Sequence, residues 1–268
     1  MNAKFLLGSL LVVPLLPIMY VQGKRIKAAI PSLPEAQGTH GITEVGASET
    51  LSLITIGEST IAGVGVETHE EGFTGALSRS LAEATKKNIR WQVYAQSGFT
   101  LAKVTDTIIP TIKEEATDLI VIGMGGNNAF ELNSPDRWRK DTIKLIQSLR
   151  SKFEQTPIVF ANMPPIKDFP AFTPLLKAVA GNLVELYAQE LEKLCGNYSN
   201  VLFNSEIITL SKWIERLDYR YTPQDFFSDG VHPSKLTYEK WAQETSEFIG
   251  KKVALKKEYR FHFTKWLK

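Results

Sequence analysis

Residues 51–65 read LSLITIGESTIAGVG: a short apolar run that stops at a glycine and passes into small and polar residues. The first part fits a buried strand, and the second fits a turn at its carboxyl end. The pattern returns at 118–128, DLIVIGMGGNN, and in weaker form at 90–98, RWQVYAQSG, and at 157–163, PIVFANM. Between these runs lie amphipathic stretches of helix length, from about Phe73 to Lys86, Leu101 to Ile109, Pro135 to Lys152 and Phe172 to Leu194. Proline at 135 suits a first helical turn. A short VLFN at 201–204 and a closing helix from about Pro233 complete the series. Such alternation predicts an α/β fold, a three-layer α/β/α sandwich on a central parallel sheet of about five strands.

The composition agrees with a globular chain. Its 268 residues, 43% hydrophobic and 22% charged, suffice for a full core. One cysteine, Cys195, excludes an intramolecular disulfide and any Cys-based zinc or iron–sulfur site. The net charge of +2 is segregated: residues 1–27 and 251–268 hold 11 of the 31 basic residues and one of the 29 acids. Residues 28–250 therefore carry eight more acids than bases. An acidic body repels phosphates, so nucleic acid is excluded as a partner, and the basic ends match an anionic membrane surface.

Between Lys4 and Lys24 run 19 uncharged residues, FLLGSLLVVPLLPIMYVQG, which at about 1.5 Å each reach across a bilayer's hydrocarbon core. No small-x-small cleavage site follows closely, so residues 1–27 read as a membrane anchor or uncleaved signal. Pro14 and Pro17 are expected to bend it. Lys24, Arg25 and Lys27 weigh toward a cytoplasmic catalytic domain, with a periplasmic or secreted one as the alternative. Residues 28–49, with Pro31, Pro34, Gly38, Gly41 and Gly46, read as a linker, and 50–250 as the folded domain. The tail 251–268 interleaves cations with Tyr259, Phe261, Phe263 and Trp266. It suits a headgroup interface or a solvated terminus lying on its own domain.

In open α/β sheets ligands bind beyond the carboxyl ends of the strands. Ser59 stands two residues past the first strand, where a turn can present a hydroxyl and aim backbone N–H groups at a developing oxyanion. Asp229 precedes His232 by three residues, a spacing at which the carboxylate can accept the ring's Nδ1–H and leave Nε2 free to take a proton. Gly98 can let a substrate approach backbone N–H, and Asn127, after a Gly-Gly pair, can offer a side-chain amide. Taken singly, each has an ordinary structural role in a cap or turn.

As an ordered set, Gly57-Glu58-Ser59, Ser97-Gly98, Gly125-Gly126-Asn127 and Asp229-x-x-His232 resemble the four blocks of the SGNH hydrolases, also called the GDSL lipase/esterase family. The resemblance covers about residues 50–250 and implies that family's flavodoxin-like fold. It implies Ser59 as nucleophile, His232 as general base and later acid, and Asp229 as the group that orients His232. The N–H groups of Ser59 and Gly98 with the amide of Asn127 would form the oxyanion hole. No cofactor and no metal are implied. Glu58 and Asn128 depart from the Asp that family members usually carry at both positions.

The expected reaction is two-step acyl transfer from a carboxylic ester through an acyl enzyme. Phe169 and Phe172 lie in a Pro-rich loop, 163–177, that can line an acyl pocket or pack into the core. With the anchor and basic tail, the loop favours small-molecule or lipid-like and medium-chain esters. An O-acyltransferase, a carbohydrate O-deacetylase and a catalytically decayed, membrane-tethered binding protein remain the alternatives. His69-Glu70-Glu71 lacks the second histidine of a zinc-protease helix, and Cys195 reads as a small core residue.

Overall fold

The computed structural model describes residues 3–217 and 219–253. Helices α1 (Ala3–Val12) and α2 (Leu16–Ala29) are joined by a 3-10 turn and precede strand β1 (His40–Thr43). Then follow β2 (Thr50–Gly57), α3 (Phe73–Thr85), β3 (Asn88–Ala95) and the single turn α4 (Leu101–Lys103). Next are β4 (Leu119–Gly123), α5 (Gly126–Phe130), α6 (Pro135–Lys152) and β5 (Ile158–Phe160). The chain continues through α7 (Pro174–Cys195), β6 (Val201–Phe203), α8 (Leu210–Arg216) and α9 (Lys235–Lys252). Most of the basic tail, residues 254–268, lies outside the described residues.

The strands form one sheet in the order β1-β3-β2-β4-β5-β6. All pairs are parallel except β1 with β3. Side chains alternate between two cores. Ile54, Ile56, Ile120, Ile122 and Phe160 face the layer of α6 and α7, and Leu53, Val121 and Val159 face that of α3 and α9. Truncating a fully buried Ile such as Ile56 to alanine costs about 2–5 kcal/mol, because the lost apolar contact leaves a cavity. This is the expected three-layer α/β architecture.

The sheet has a sixth strand that the sequence reading placed in a linker. Of residues 28–49, the first two complete α2, Gln37 exchanges backbone bonds with Glu67 and His69 at 2.9 Å each, and His40–Thr43 pairs antiparallel with β3. The Trp91 ring occupies the space a Cβ at Gly41 would need. Strand formation there depends on a partner about fifty residues away, which local composition does not reveal. The helix expected over Leu101 to Ile109 is also broken, into α4, a π turn (Val104–Ile108) and a 3-10 turn (Ile109–Thr111). Hydroxyls of Thr105, Thr107 and Thr111 take main-chain carbonyls within it, and Pro110 has no N–H to continue a ladder.

The N-terminal helix, Phe5–Ala29, is long and apolar enough to cross a membrane. Pro14 lies in the 3-10 turn, Val13–Leu15, and Pro17 in the first turn of α2. One flank leans on the domain: Met19 is buried, Phe5 packs on the core, and Gln22 accepts a 2.7 Å bond from the Thr173 hydroxyl. The other flank, including Leu7, Leu10, Leu11 and Ile18, is exposed.

Candidate active site

The parallel register sets Gly57, Ala95 and Gly123 side by side, so the loops after β2, β3 and β4 leave from one edge. Gly57 and Gly123 leave room there for Ile61, a buried side chain that drops onto the sheet end. The chain after Gly57 therefore turns at once. Glu58's carbonyl accepts from the N–H of Ile61 and Ala62 at 2.9 Å each, and Ser59's carbonyl from that of Val64 at 3.1 Å. Ser59 sits half-buried in this turn.

Three loops share one hydrogen-bond network. Glu58 accepts the N–H of Gly126 at 2.7 Å on one carboxylate oxygen and that of Asn127 at 2.9 Å on the other. Asn127 in turn donates its side-chain amide to the Phe99 carbonyl at 3.1 Å. Gly98, one residue earlier, has φ +77°, a conformation that favours glycine, and nothing stands within 4 Å of where a Cβ would sit. The Gly98 loop is braced from behind by Glu35, which accepts from the Ser97 N–H at 2.6 Å and the Gln96 amide at 2.8 Å. Sequence reasoning missed Glu35, which lay in the expected linker.

Asn128 is fully buried. Its side-chain oxygen accepts the Leu101 N–H at 2.9 Å and its carbonyl accepts the Tyr187 hydroxyl at 3.1 Å. Its place is structural: it anchors the start of α4.

The Asp229 carboxylate is fully committed to His232 and its turn. One oxygen lies 2.7 Å from His232 Nδ1, and the other accepts the N–H of Val231 at 2.9 Å and of His232 at 2.7 Å. The alternative role as a helix cap goes instead to Ser234, which accepts the Thr237 N–H at 3.4 Å. Burial raises the Asp229 carboxyl, but the bonds from the His232 ring and from the two backbone N–H groups outweigh it and hold the group below its ordinary value.

This turn packs on the Ser59 loop. Gly65, at φ +107°, lies against the Pro233 carbonyl and the Ser228 side chain, leaving no room for a Cβ. On its other side Ala171 N–H donates to the Gly230 carbonyl at 3.1 Å, so the 163–173 loop borders the turn as well.

A row of rings continues from there. Phe227, Phe169, Phe172 and Phe130 contact one another in sequence at centroid distances of 5.5, 5.4 and 5.5 Å. Phe169 is buried in the core, Phe172 is half-buried and Phe130 is exposed. Beyond Met163, whose sulfur stands beside Gly125, a cavity of about 480 Å³ opens between the 163–168 segment, α7 and residues 205–209. Apolar Pro164, Ile166, Val184 and Ile208 line it with charged Lys167 and Glu185.

A family model described as the GDSL-like lipase/acylhydrolase family matches residues 55–240. The chain belongs to this family. It is thereby an ester hydrolase by descent, and the matched span runs from β2 through the Ser59, Gly98, Asn127 and His232 loops to α9. No curated protein matches the chain.

Among solved structures the fold is similar to TesA, at 18% identity and TM-score 0.54, over 74% of this chain and 97% of that one. It is similar to the lipase Lip_vut3 from a goat rumen metagenome, at 18% identity and TM-score 0.54, over 74% and 96%. A family 3 carbohydrate esterase from Clostridium thermocellum gives 15% identity and TM-score 0.54, over 75% and 96%.

His69 is buried beside Gly63, and burial lowers its ring to about 4. Burial pushes the Cys195 thiol up to about 12, which suits a packing residue and not a thiolate nucleophile. Among the described residues no group of three or more His, Cys, Asp or Glu side chains is placed to hold a metal ion.

Proposed function

We propose that this GDSL-family chain is a serine esterase that cleaves lipid-like or medium-chain carboxylic esters through an acyl enzyme. Ser59 is the nucleophile, His232 the general base and then acid, and Asp229 the group that sets the ring's tautomer and balances the imidazolium. The N–H groups of Ser59 and Gly98 and the amide of Asn127 receive the oxyanion.

The observation that carries this reading is the Asp229–His232 pair, 2.7 Å apart, in a turn packed against the Ser59 loop. With Nδ1 engaged by the carboxylate, Nε2 is the nitrogen left to take the serine proton. A medium acyl chain is supported by the accessible rings of Phe172 and Phe130 and by the cavity beyond Met163.

The N-terminal helix is read as a membrane anchor whose exposed apolar flank meets lipid. Lys24, Arg25 and Lys27 at its end favour a cytoplasmic domain. On this reading the bond between Gln22 and Thr173 would keep the anchor beside the loop that carries Phe172.

Fluorophosphonate labelling of the full chain, abolished by Ser59→Ala, tests the nucleophile; labelling that persists in the variant rejects it. p-Nitrophenyl esters from acetate to palmitate test the substrate. A maximum at medium chain length supports the acyl reading. Strict preference for acetate would favour the second reading, carbohydrate O-deacetylation, to which the similarity with a carbohydrate esterase points.

A further inference from the structure

We propose that the Glu58 carboxylate is the positioning group of the oxyanion hole: it fixes where Asn127 presents its amide, and it does so as an anion. The inference rests on the hydrolase reading above and assigns a role to a residue that takes no part in bond making. Glu58 follows Gly57 directly, is only 5% exposed, and spends each carboxylate oxygen on one backbone N–H, of Gly126 and of Asn127. Its own N–H donates to the Gly123 carbonyl at 3.3 Å, so the carboxylate is anchored to the end of β4 as well as to β2. Asn127 is thus held from two sides, by Glu58 at its backbone and by the Phe99 carbonyl at its side chain.

Only the anion accepts on both oxygens without opposition. A neutral carboxyl or an amide carries a donor that confronts one of the two N–H groups. In a site that water scarcely reaches, an N–H left unpaired drives local rearrangement, and here it belongs to the residue whose amide the mechanism needs. Burial raises the Glu58 carboxyl to about 7, against the lowering from the N–H groups of Asn127, Gly126 and Gly125 and from the Asn127 amide. The change between the two states therefore falls in the neutral range.

Residues 123–128, which face Glu58 from β4 and α5, carry no charge. The titratable groups on the other bordering elements are Asp229 and His232 on the 228–232 turn, His69 at the far end of the Ser59 loop, and Glu35 behind the Gly98 loop. Wild type and the Glu58 variants share all of these other groups, so the comparison between them isolates Glu58.

The test uses the full chain, p-nitrophenyl acetate and butyrate, and kcat and KM measured from about pH 5.5 to 9 for wild type, Glu58→Gln and Glu58→Asp. Thermal melts accompany the kinetics. Glu58→Gln is expected to lower kcat at pH 8 by roughly tenfold to a hundredfold, less than loss of the donor itself, with KM within about threefold. Its kcat profile is expected to lose an inflection near neutral pH that wild type shows. A Gln variant with wild-type kcat and a wild-type acid limb overturns the proposal. Should that variant melt below the assay temperature, Glu58→Asp decides: the charge is retained but withdrawn by one methylene, so a displaced acid limb is expected, and an unmoved one overturns the role.

Fluorophosphonate labelling keeps the two readings apart. A wild-type chain that is not labelled at Ser59 overturns the hydrolase reading and this one with it. Labelled wild type with an unaffected Gln variant overturns Glu58 alone.

Discussion

The phenol of Tyr238 on α9 donates a 2.8 Å hydrogen bond to the carbonyl of Val64, and both residues are buried. The bond joins the loop carrying Ser59 to the helix that follows the His232 turn, residues that lie far apart in the chain. Burial pushes the Tyr238 hydroxyl well above its ordinary range, so it remains a donor at every working pH. Tyr238→Phe leaves the Val64 carbonyl unpaired and is expected to destabilise the fold by about 1–3 kcal/mol. Turnover on short esters should fall severalfold with little change in KM. Urea unfolding and steady-state kinetics check this, and a variant unchanged in both would show that the loops hold together without the bond.

Asp229→Asn keeps the shape of the turn but offers the His232 ring a donor as readily as an acceptor. Where the tautomer is spoiled in this way in other serine hydrolases, turnover drops on the order of 10⁴-fold. A loss of about 10³- to 10⁴-fold in kcat is expected here, with KM far less affected. The Asp229 carboxyl is held below its ordinary value, so the stability it contributes is complete above the normal aspartate range and disappears as pH falls through the lowered value. Acid unfolding of Asp229→Asn should therefore lack part of the wild-type slope below about pH 4. Equal slopes would count against the assignment.

Asn127→Ala removes the proposed oxyanion donor together with the bond to the Phe99 carbonyl. The expected loss is about 10²- to 10³-fold in kcat, while one hydrogen bond is worth only about 1 kcal/mol of stability. Kinetics alongside a thermal melt separate these outcomes. A large fall in melting temperature with modest loss of turnover would make Asn127 a packing residue.

Glu58 gives a stability signature opposite in sign to that of Asp229. Its folded-state value is raised to about 7, so the stability linked to its protonated form is present at acid pH and lost as pH rises through neutrality. The size of that shift corresponds to roughly 3 kcal/mol between about pH 4 and 8. Unfolding free energies measured across that range should decline for wild type relative to Glu58→Gln. Parallel curves for the two proteins would mean that the buried carboxyl does not titrate there.

Much of the fold was legible because its central strands, β2 and β4, are largely buried on both faces. DLIVIG carries apolar residues at successive positions, as two-sided burial favours, and LSLITIG does so except at Ser52 and Thr55; they end at Gly57 and Gly123, where Ile61 needs the room. The start of α6 was read from Pro135, whereas that of α7 was placed near Phe172, two residues before its proline; in the structure Ser134 and Thr173 cap the two helices. Strand β1 was not legible, because HGIT is short and Gly41 weakens its strand signal, while its pairing with β3 is non-local. The brace of Glu35 on the Gly98 loop was hidden for the same reason.

The site was read as an ordered set of four loops, but the roles of individual residues within it needed distances. Asp229 could have capped a helix; its carboxylate instead meets the His232 ring while Ser234 takes the cap. Phe169 and Phe172 looked alike as pocket residues, and packing separated them, sending Phe169 into the core and leaving Phe172 partly accessible.

Local patterning, then, determined the α/β alternation and placed Ser59, Gly98, Asn127 and the Asp229–His232 turn in loops, since strand burial, proline placement and cap chemistry act over a few residues. Only the tertiary structure decided that Glu58 would lie beneath Asn127, that Tyr238 would clasp the Ser59 loop, and that the N-terminal helix would rest one flank on the domain. Those contacts join residues 69, 174 and 151 positions apart in the chain. Their energies depend on burial and direction, which no stretch of sequence carries before the chain has closed on itself.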